Sequence, residues 1–430
     1  MAITFNRTQI ADGVSLSVVW DPKFMHNRIT VNLILPLAED TVSNYAILPF
    51  LMRKGCESCE DFTMLNRKLD ELYGAALISD VGKIGACQVI TLGVKVLDDR
   101  YTISNEMLTH EAVSLLRDLV FSPLIRDGAF PQQDTELEKE YLIDTIEAQI
   151  NDKRSYVISK CRALMGKDDP AAIRKYGSME GARAITARSA AQAYHNMMSF
   201  ASVEIMFVGS GDHTSTARIM GEAFSKIRRD KKQLGKPVVV PSAQKVTEIE
   251  ERLNIVQPKL AIGFRAGDAG DVSTQAARRV MAALYGGTPS SKLFLNVREK
   301  LSLCYYCAAR YDKISEILMV DCGVEKENVQ PAKKEILNQL EDIKNGVFED
   351  ETLRNTKLMM KNAALAVGDS ATSLESWYLT HIMEDMIISP REDIEMIDGV
   401  TRADVVKVAR DTTLDTVYLL ASKEDETDAQ

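Results

Sequence analysis

The chain reads as one pattern written twice, and this constrains its fold more than any other feature. Ile185-Thr186-Ala187-Arg188 opens a helical stretch that leads into the apolar run at residues 203–208. Val400-Thr401-Arg402-Ala403 opens another, which leads into the run at residues 416–421. In each, the threonine is placed to cap the helix. Thr186 and Thr401 lie 215 residues apart in a chain of 430, about the length of one domain. Residues 229–247 sit near the midpoint and read as a linker, charged at first and then extended, with Pro237 and Pro241 around a valine run. The expected organisation is therefore an N-terminal domain over 1–228, the linker over 229–247 and a C-terminal domain over 248–430.

The starts of the halves also correspond. A strand-like run at 29–37 precedes a helix expected over 44–54, and a second run at 259–266 precedes a helix over 276–284. These helices end at Gly55 and at Gly286-Gly287, as if each glycine were the left-handed residue that stops a helix. Longer helical stretches follow at 112–120 and 135–149, and again at 331–343 and 351–366. Strands cluster with little regular strand–helix alternation. The fold class expected is α+β: two similar domains, each an antiparallel-rich sheet with helices packed on one face.

Composition removes several function classes. The formal net charge is −10 and no basic stripe is present, so no nucleic-acid footprint is expected. The most apolar runs, at 31–38 and 46–52, are too short to span a bilayer, and the first residues show no charged-then-apolar leader. A cytoplasmic protein without a membrane partner is expected, its seven cysteines reduced.

The segment Tyr285-Gly286-Gly287-Thr288-Pro289-Ser290-Ser291-Lys292-Leu293-Phe294-Leu295-Asn296-Val297-Arg298-Glu299-Lys300, with Tyr305 beyond it, resembles the second domain of pitrilysin-type peptidases. That family includes the insulin-degrading enzymes and mitochondrial processing peptidases, and the resemblance extends over essentially the whole chain. Its first domain carries His-x-x-Glu-His on a helix: two imidazoles one turn apart that reach one Zn²⁺, and a carboxylate that serves as general base. Set against Lys54-Gly55, that motif falls on Ala46, Pro49 and Phe50. None of these can bind zinc or move a proton, and Pro49 is expected to kink or break the helix. The family's later glutamates, seven residues apart, fall on Glu140 and Glu147, with an insertion implied around residues 101–110. One carboxylate cannot make a catalytic zinc site, and a solvated helix face is the simpler reading of both.

In active members, an arginine and a tyrosine of the second domain hold the substrate backbone and the forming oxyanion. Here the resemblance gives these places to Arg298 and Tyr305. The plain alternative is that Arg298 pairs with Glu299 and Tyr305 is half-buried. The resemblance thus implies a chain that is no enzyme by itself and binds no cofactor. It would be a non-catalytic subunit completing the active site and substrate chamber of a zinc-bearing homologue, with peptide as substrate and zinc only in that partner. The competing readings are a structural scaffold or peptide-binding homodimer without peptidase role, and an enzyme whose zinc site uses Cys and Glu.

Other patterns carry less. His381-Ile382-Met383-Glu384-Asp385 has one His–Glu pair on a helix, and His26, His110, His195 and His213 show no ligand spacing. Cys56-Glu57-Ser58-Cys59 and Cys304-Tyr305-Tyr306-Cys307 lie in different halves. In a regular strand, Cys304 and Cys307 would point to opposite faces. The loop at 267–270 lacks the lysine of a phosphate loop, and no Gly-x-Ser-x-Gly elbow occurs.

Overall fold

The computed structural model describes residues 3–166, 169–268 and 270–423. It forms two compact units, one of Met1–Glu147, Ile173–Lys236 and Val367–Ile387, the other of Ala148–Ala172, Pro237–Ala366 and Ile388–Gln430. The chain passes between them five times, once between Lys236 and Pro237, inside the expected linker.

The first unit is built on strands β1 (Thr4–Ala11), β2 (Val14–Trp20), β3 (His26–Pro36), β4 (Ala76–Ile84), β5 (Cys87–Leu97) and β6 (Ser202–Gly209). They lie in the order β1-β2-β6-β3-β5-β4, antiparallel except for β2 with β6. The second unit holds β7 (Thr247–Leu253), β8 (Lys259–Arg265), β9 (Cys304–Asp312), β10 (Ile317–Val324) and β11 (Thr413–Ser422). Their order is β7-β11-β8-β10-β9, again with one parallel pair, β11 with β7. Removing β1 from the first sheet leaves the second, strand for strand, so the α+β fold is duplicated as well as the sequence.

The helices come from the expected stretches: Leu108–Phe121 and Gln132–Ala148 in one half, Val329–Lys344 and Asp350–Val367 in the other. Thr186 and Thr401 are the N-caps of Ala187–Phe200 and Arg402–Asp411, and each completes a reciprocal capping box. In the first unit, Leu16, Val31, Leu33, Ile205 and Phe207 face the main helical layer, where Leu116, Leu119, Tyr194 and Met197 meet them. In the second, Leu260, Ile262, Phe264 and Val320 face Val280, Met281, Ile336 and Val405. Each such side chain is worth about 1.5–3 kcal/mol when fully buried.

Both sheets also have part of their second face covered, in each case by a helix from the other half of the sequence. Helix Ala371–Met383 sets Leu374 and Tyr378 on Val19, Met206 and Val208. Its buried Glu375 accepts from Arg28 and Thr30 on β3. Helix Lys153–Met165 sets Tyr156, Val157, Cys161 and Met165 on Ala261, Met319 and Tyr418. Strands covered on both faces are buried along their length rather than at alternate residues, as β10 is throughout and β3 is almost throughout.

Candidate functional site

Where a zinc motif would stand, the expected helix over 44–54 is two short ones, Val42–Ala46 and Leu48–Met52. They divide at Ile47, and Pro49 occupies the first turn of the second, where its missing N–H costs nothing. Ala46 and Pro49 are buried, with Ala46 in the core. Phe50 is half-buried, edge-on to Tyr141 with ring centroids 6.2 Å apart, and the Arg53 guanidinium lies over its ring. Hydrocarbon therefore occupies the three positions that the resemblance sets against two imidazoles and a carboxylate.

Glu140 and Glu147 are both exposed, and Glu147 lies 3.9 Å from Arg183. The buried stripe of that helix is Thr135, Glu138, Leu142 and Ile146. Glu138 accepts an ion pair from Lys54 at 2.6 Å with Arg53 at 3.9 Å. Sequence reading missed Glu138, although its helical spacing from Leu142 and Ile146 marks it as inward-facing.

Gly55 and Gly286-Gly287 do not stop helices through left-handed backbone, since positive φ occurs at other glycines. Close approach is the reason instead. A Cβ on Gly55 would stand 2.6 Å from the Cys59 carbonyl oxygen, and one on Gly286 2.6 Å from the Ala309 backbone nitrogen. The latter lets the wide π-helical turn Ala283–Gly287, which follows helix Val272–Ala282, lie directly on β9. Tyr285 is buried there and donates to the Ile336 carbonyl at 2.7 Å. Lys292 reaches Asp342 at 3.0 Å and the Val347 carbonyl at 2.8 Å. These contacts anchor a second π-helical segment, Leu293–Lys300, in which Leu293 and Val297 are buried.

Arg298 projects from that segment, its guanidinium over the Phe294 ring at 4.5 Å and 3.5 Å from Glu299. The chain then turns through Ser302, a non-glycine residue at φ +50°, and enters β9. Val324 pairs with Cys304 but Gly323 pairs with Tyr306, so Tyr305 is the extra residue of a β-bulge. This leaves Tyr305 64% exposed. The neighbouring Glu325 carboxylate raises the pKa of the Tyr305 hydroxyl. The Arg298–Glu299 pairing expected as the plain alternative is thus present, whereas Tyr305 is exposed rather than half-buried. Both contacts are of the weak, solvent-accessible kind.

The bulge also overturns the expectation that Cys304 and Cys307 face opposite ways. One extra residue restores the phase, and both turn toward the helical layer, where Cys307 and Cys322 lie in the core and Cys304 packs against it. Cys56 and Cys59, in the first unit, are buried in a tight turn and exchange both backbone hydrogen bonds at 2.9 Å. His381 is buried, with Nδ1 2.8 Å from the Trp377 carbonyl oxygen. Among the described residues, no group of three or more His, Cys, Asp or Glu side chains is placed to hold a metal ion. No helix among them is long and apolar enough to cross a membrane.

Residues 184–360 match the family model described as the Peptidase M16 inactive domain. The chain is 30% identical over 414 residues, 96% of each chain, to a Bacillus subtilis (strain 168) protein named Probable inactive metalloprotease YmfF. A conserved protein from Enterococcus faecalis V583 superposes with a TM-score of 0.90 at 26% identity, covering 98% of this chain and 100% of that one. A peptidase M16 inactive domain from Pseudomonas fluorescens has the same fold at 14% identity, with a TM-score of 0.77 and coverage of 99% and 100%. The chain belongs to the M16, or pitrilysin-type, peptidase family as one of its inactive homologues, not catalytic by itself.

Proposed function

We propose that the chain is a non-catalytic subunit of a cytoplasmic M16 peptidase and completes the active site and substrate chamber of a zinc-bearing homologue. The observation that carries this reading is the contrast within the motif segment. Tyr285, Leu293 and Val297 are buried and serve the fold, whereas Arg298 and Tyr305 are exposed to solvent. Arg298 offers a permanently charged fork of donors and Tyr305 a neutral hydroxyl at neutral pH. Such groups suit the backbone of a peptide and the charge that develops on its scissile carbonyl. Zinc, its ligands and the general base belong to the partner, and this chain needs no cofactor of its own.

The test is reconstitution with an M16 homologue that carries His-x-x-Glu-His. The mixed complex should cleave peptides faster than the partner alone, and chelation should abolish the activity. Tyr305→Phe and Arg298→Ala should each lower kcat by roughly 100-fold, the loss seen when one oxyanion donor is removed, with assembly unchanged on gel filtration. Unchanged turnover in both variants would favour a scaffold or a peptide-binding homodimer instead. A mixed complex no faster than the partner alone removes the main support for the reading.

A further inference from the structure

Three of the seven cysteines converge on one face of the second sheet. Cys307 on β9 stands directly opposite Cys322 on β10, and the bulge at Tyr305 brings Cys304 round to the same face. Cys304 pairs with Val324, two residues along β10 from Cys322, so the three lie on adjacent strands within two ladder positions. Their exposure differs: Cys307 and Cys322 are buried, while Cys304 is partly open to solvent. We propose that this cluster is a peroxide-sensitive dithiol site, with Cys304 as the nucleophile and Cys307 or Cys322 as the resolving thiol. The inference does not rest on the partner-completed active site.

The local chemistry separates Cys304 from the other cysteines. The adjacent Cys307 and Cys322 thiols favour its thiolate, the Arg298 charge adds to them, and together they outweigh burial and hold its pKa well below the usual thiol range. Burial acts the other way at Cys59, at Cys87, pushed up to about 11, and at Cys161, pushed up to about 12. Cys56 and Cys59 form the other close pair, but both are buried.

The reaction takes one hydroperoxide. The Cys304 thiolate attacks the terminal peroxide oxygen and the O–O bond breaks. With one proton taken up, the products are a Cys304 sulfenic acid and water or an alcohol. The sulfur of Cys307 or Cys322 then attacks the Cys304 sulfur, and the hydroxyl leaves as water with the proton of the resolving thiol. Two thiols are oxidised by two electrons in total and one peroxide is reduced.

The test uses the full reduced chain, hydrogen peroxide as oxidant, and trypsin. Residues 301–310 form one tryptic peptide with Cys304 and Cys307, and residues 314–326 form another with Cys322. Wild type should lose two thiols. The first peptide should become lighter by two hydrogens or be cross-linked to the second. Cys304→Ser should slow this by about tenfold or more, while Cys87→Ser should react as wild type does. Iodoacetamide on the folded wild type should label Cys304 before any other cysteine, a readout that needs no variant. The proposal is overturned if Cys304→Ser loses thiols at the wild-type rate, if Cys304 accumulates as sulfinic acid with its neighbours free, or if another cysteine is alkylated first.

Discussion

Single atoms decide the segment that carries Arg298. At Gly286, any Cβ meets the Ala309 nitrogen at 2.6 Å and the Ala309 Cβ at 2.8 Å. Neither can swing away, because Ala309 lies in the middle of β9. Gly286→Ala should therefore cost about 1–3 kcal/mol, the usual penalty for overpacking, read as a lower midpoint in urea. Gly399, at the end of helix Pro390–Gly399, has nothing within 4 Å of the same position. Gly399→Ala should stay within about 0.5 kcal/mol of wild type. Equal effects at the two sites would contradict the close-approach account. The sequence marked Gly286 as special but suggested the wrong reason, since a glycine after a helical stretch reads as a stop signal. Only the strand brought beneath it shows the contact. Tyr305 teaches the same lesson: a bulge is a property of two paired strands and leaves no local trace in either.

Whole elements were far more legible. The threonine caps, the long helices and the apolar strands all lie where their periodicity placed them, because caps and amphipathic faces are local. What failed was the helix over 44–54, whose division at Ile47 follows from Pro49. The capping box at Thr401 permits a pH test. Hydrogen bonds from the Thr401 hydroxyl and backbone N–H lower the pKa of Asp404, whose charge also suits a helix N-terminus. A carboxyl whose pKa falls on folding stabilises the native state above its unfolded pKa, and the benefit fades as pH drops through the folded value. Asp404 is largely solvated, so screening limits the effect. Asp404→Ala should cost roughly 0.5 kcal/mol at pH 7, and the gap to wild type should narrow in acid below the normal carboxylate range. Urea titrations of both proteins at pH 7 and pH 3 check this; a gap that widens in acid refutes it.

At the scale of the whole molecule, the duplication legible in the sequence is real, but the units are not its two halves. Helix Ala371–Met383 belongs to the first unit and helix Lys153–Met165 to the second. Neither helix has the marked amphipathic face that most of the other helices show, so its pattern does not announce the exchange, and which sheet receives it is settled only by folding. The consequence can be tested on the N-terminal half. Residues 1–236 alone retain all six strands of the first sheet and the main helical layer, but lack the helix that covers Val19, Met206 and Val208. They also lack Glu375, which leaves Arg28 without its partner on β3. Several exposed apolar side chains at about 1.5–3 kcal/mol each compare with a net stability of only about 5–15 kcal/mol for a typical domain. A fragment of residues 1–236 should therefore bind hydrophobic dyes and self-associate. Appending residues 367–387 through a flexible linker should lower dye binding and self-association, while helix Lys153–Met165, whose place is on the second sheet, stays uncovered in both fragments. If residues 1–236 are already monomeric and unfold in one sharp transition without dye binding, the borrowed helix is not a working part of that unit.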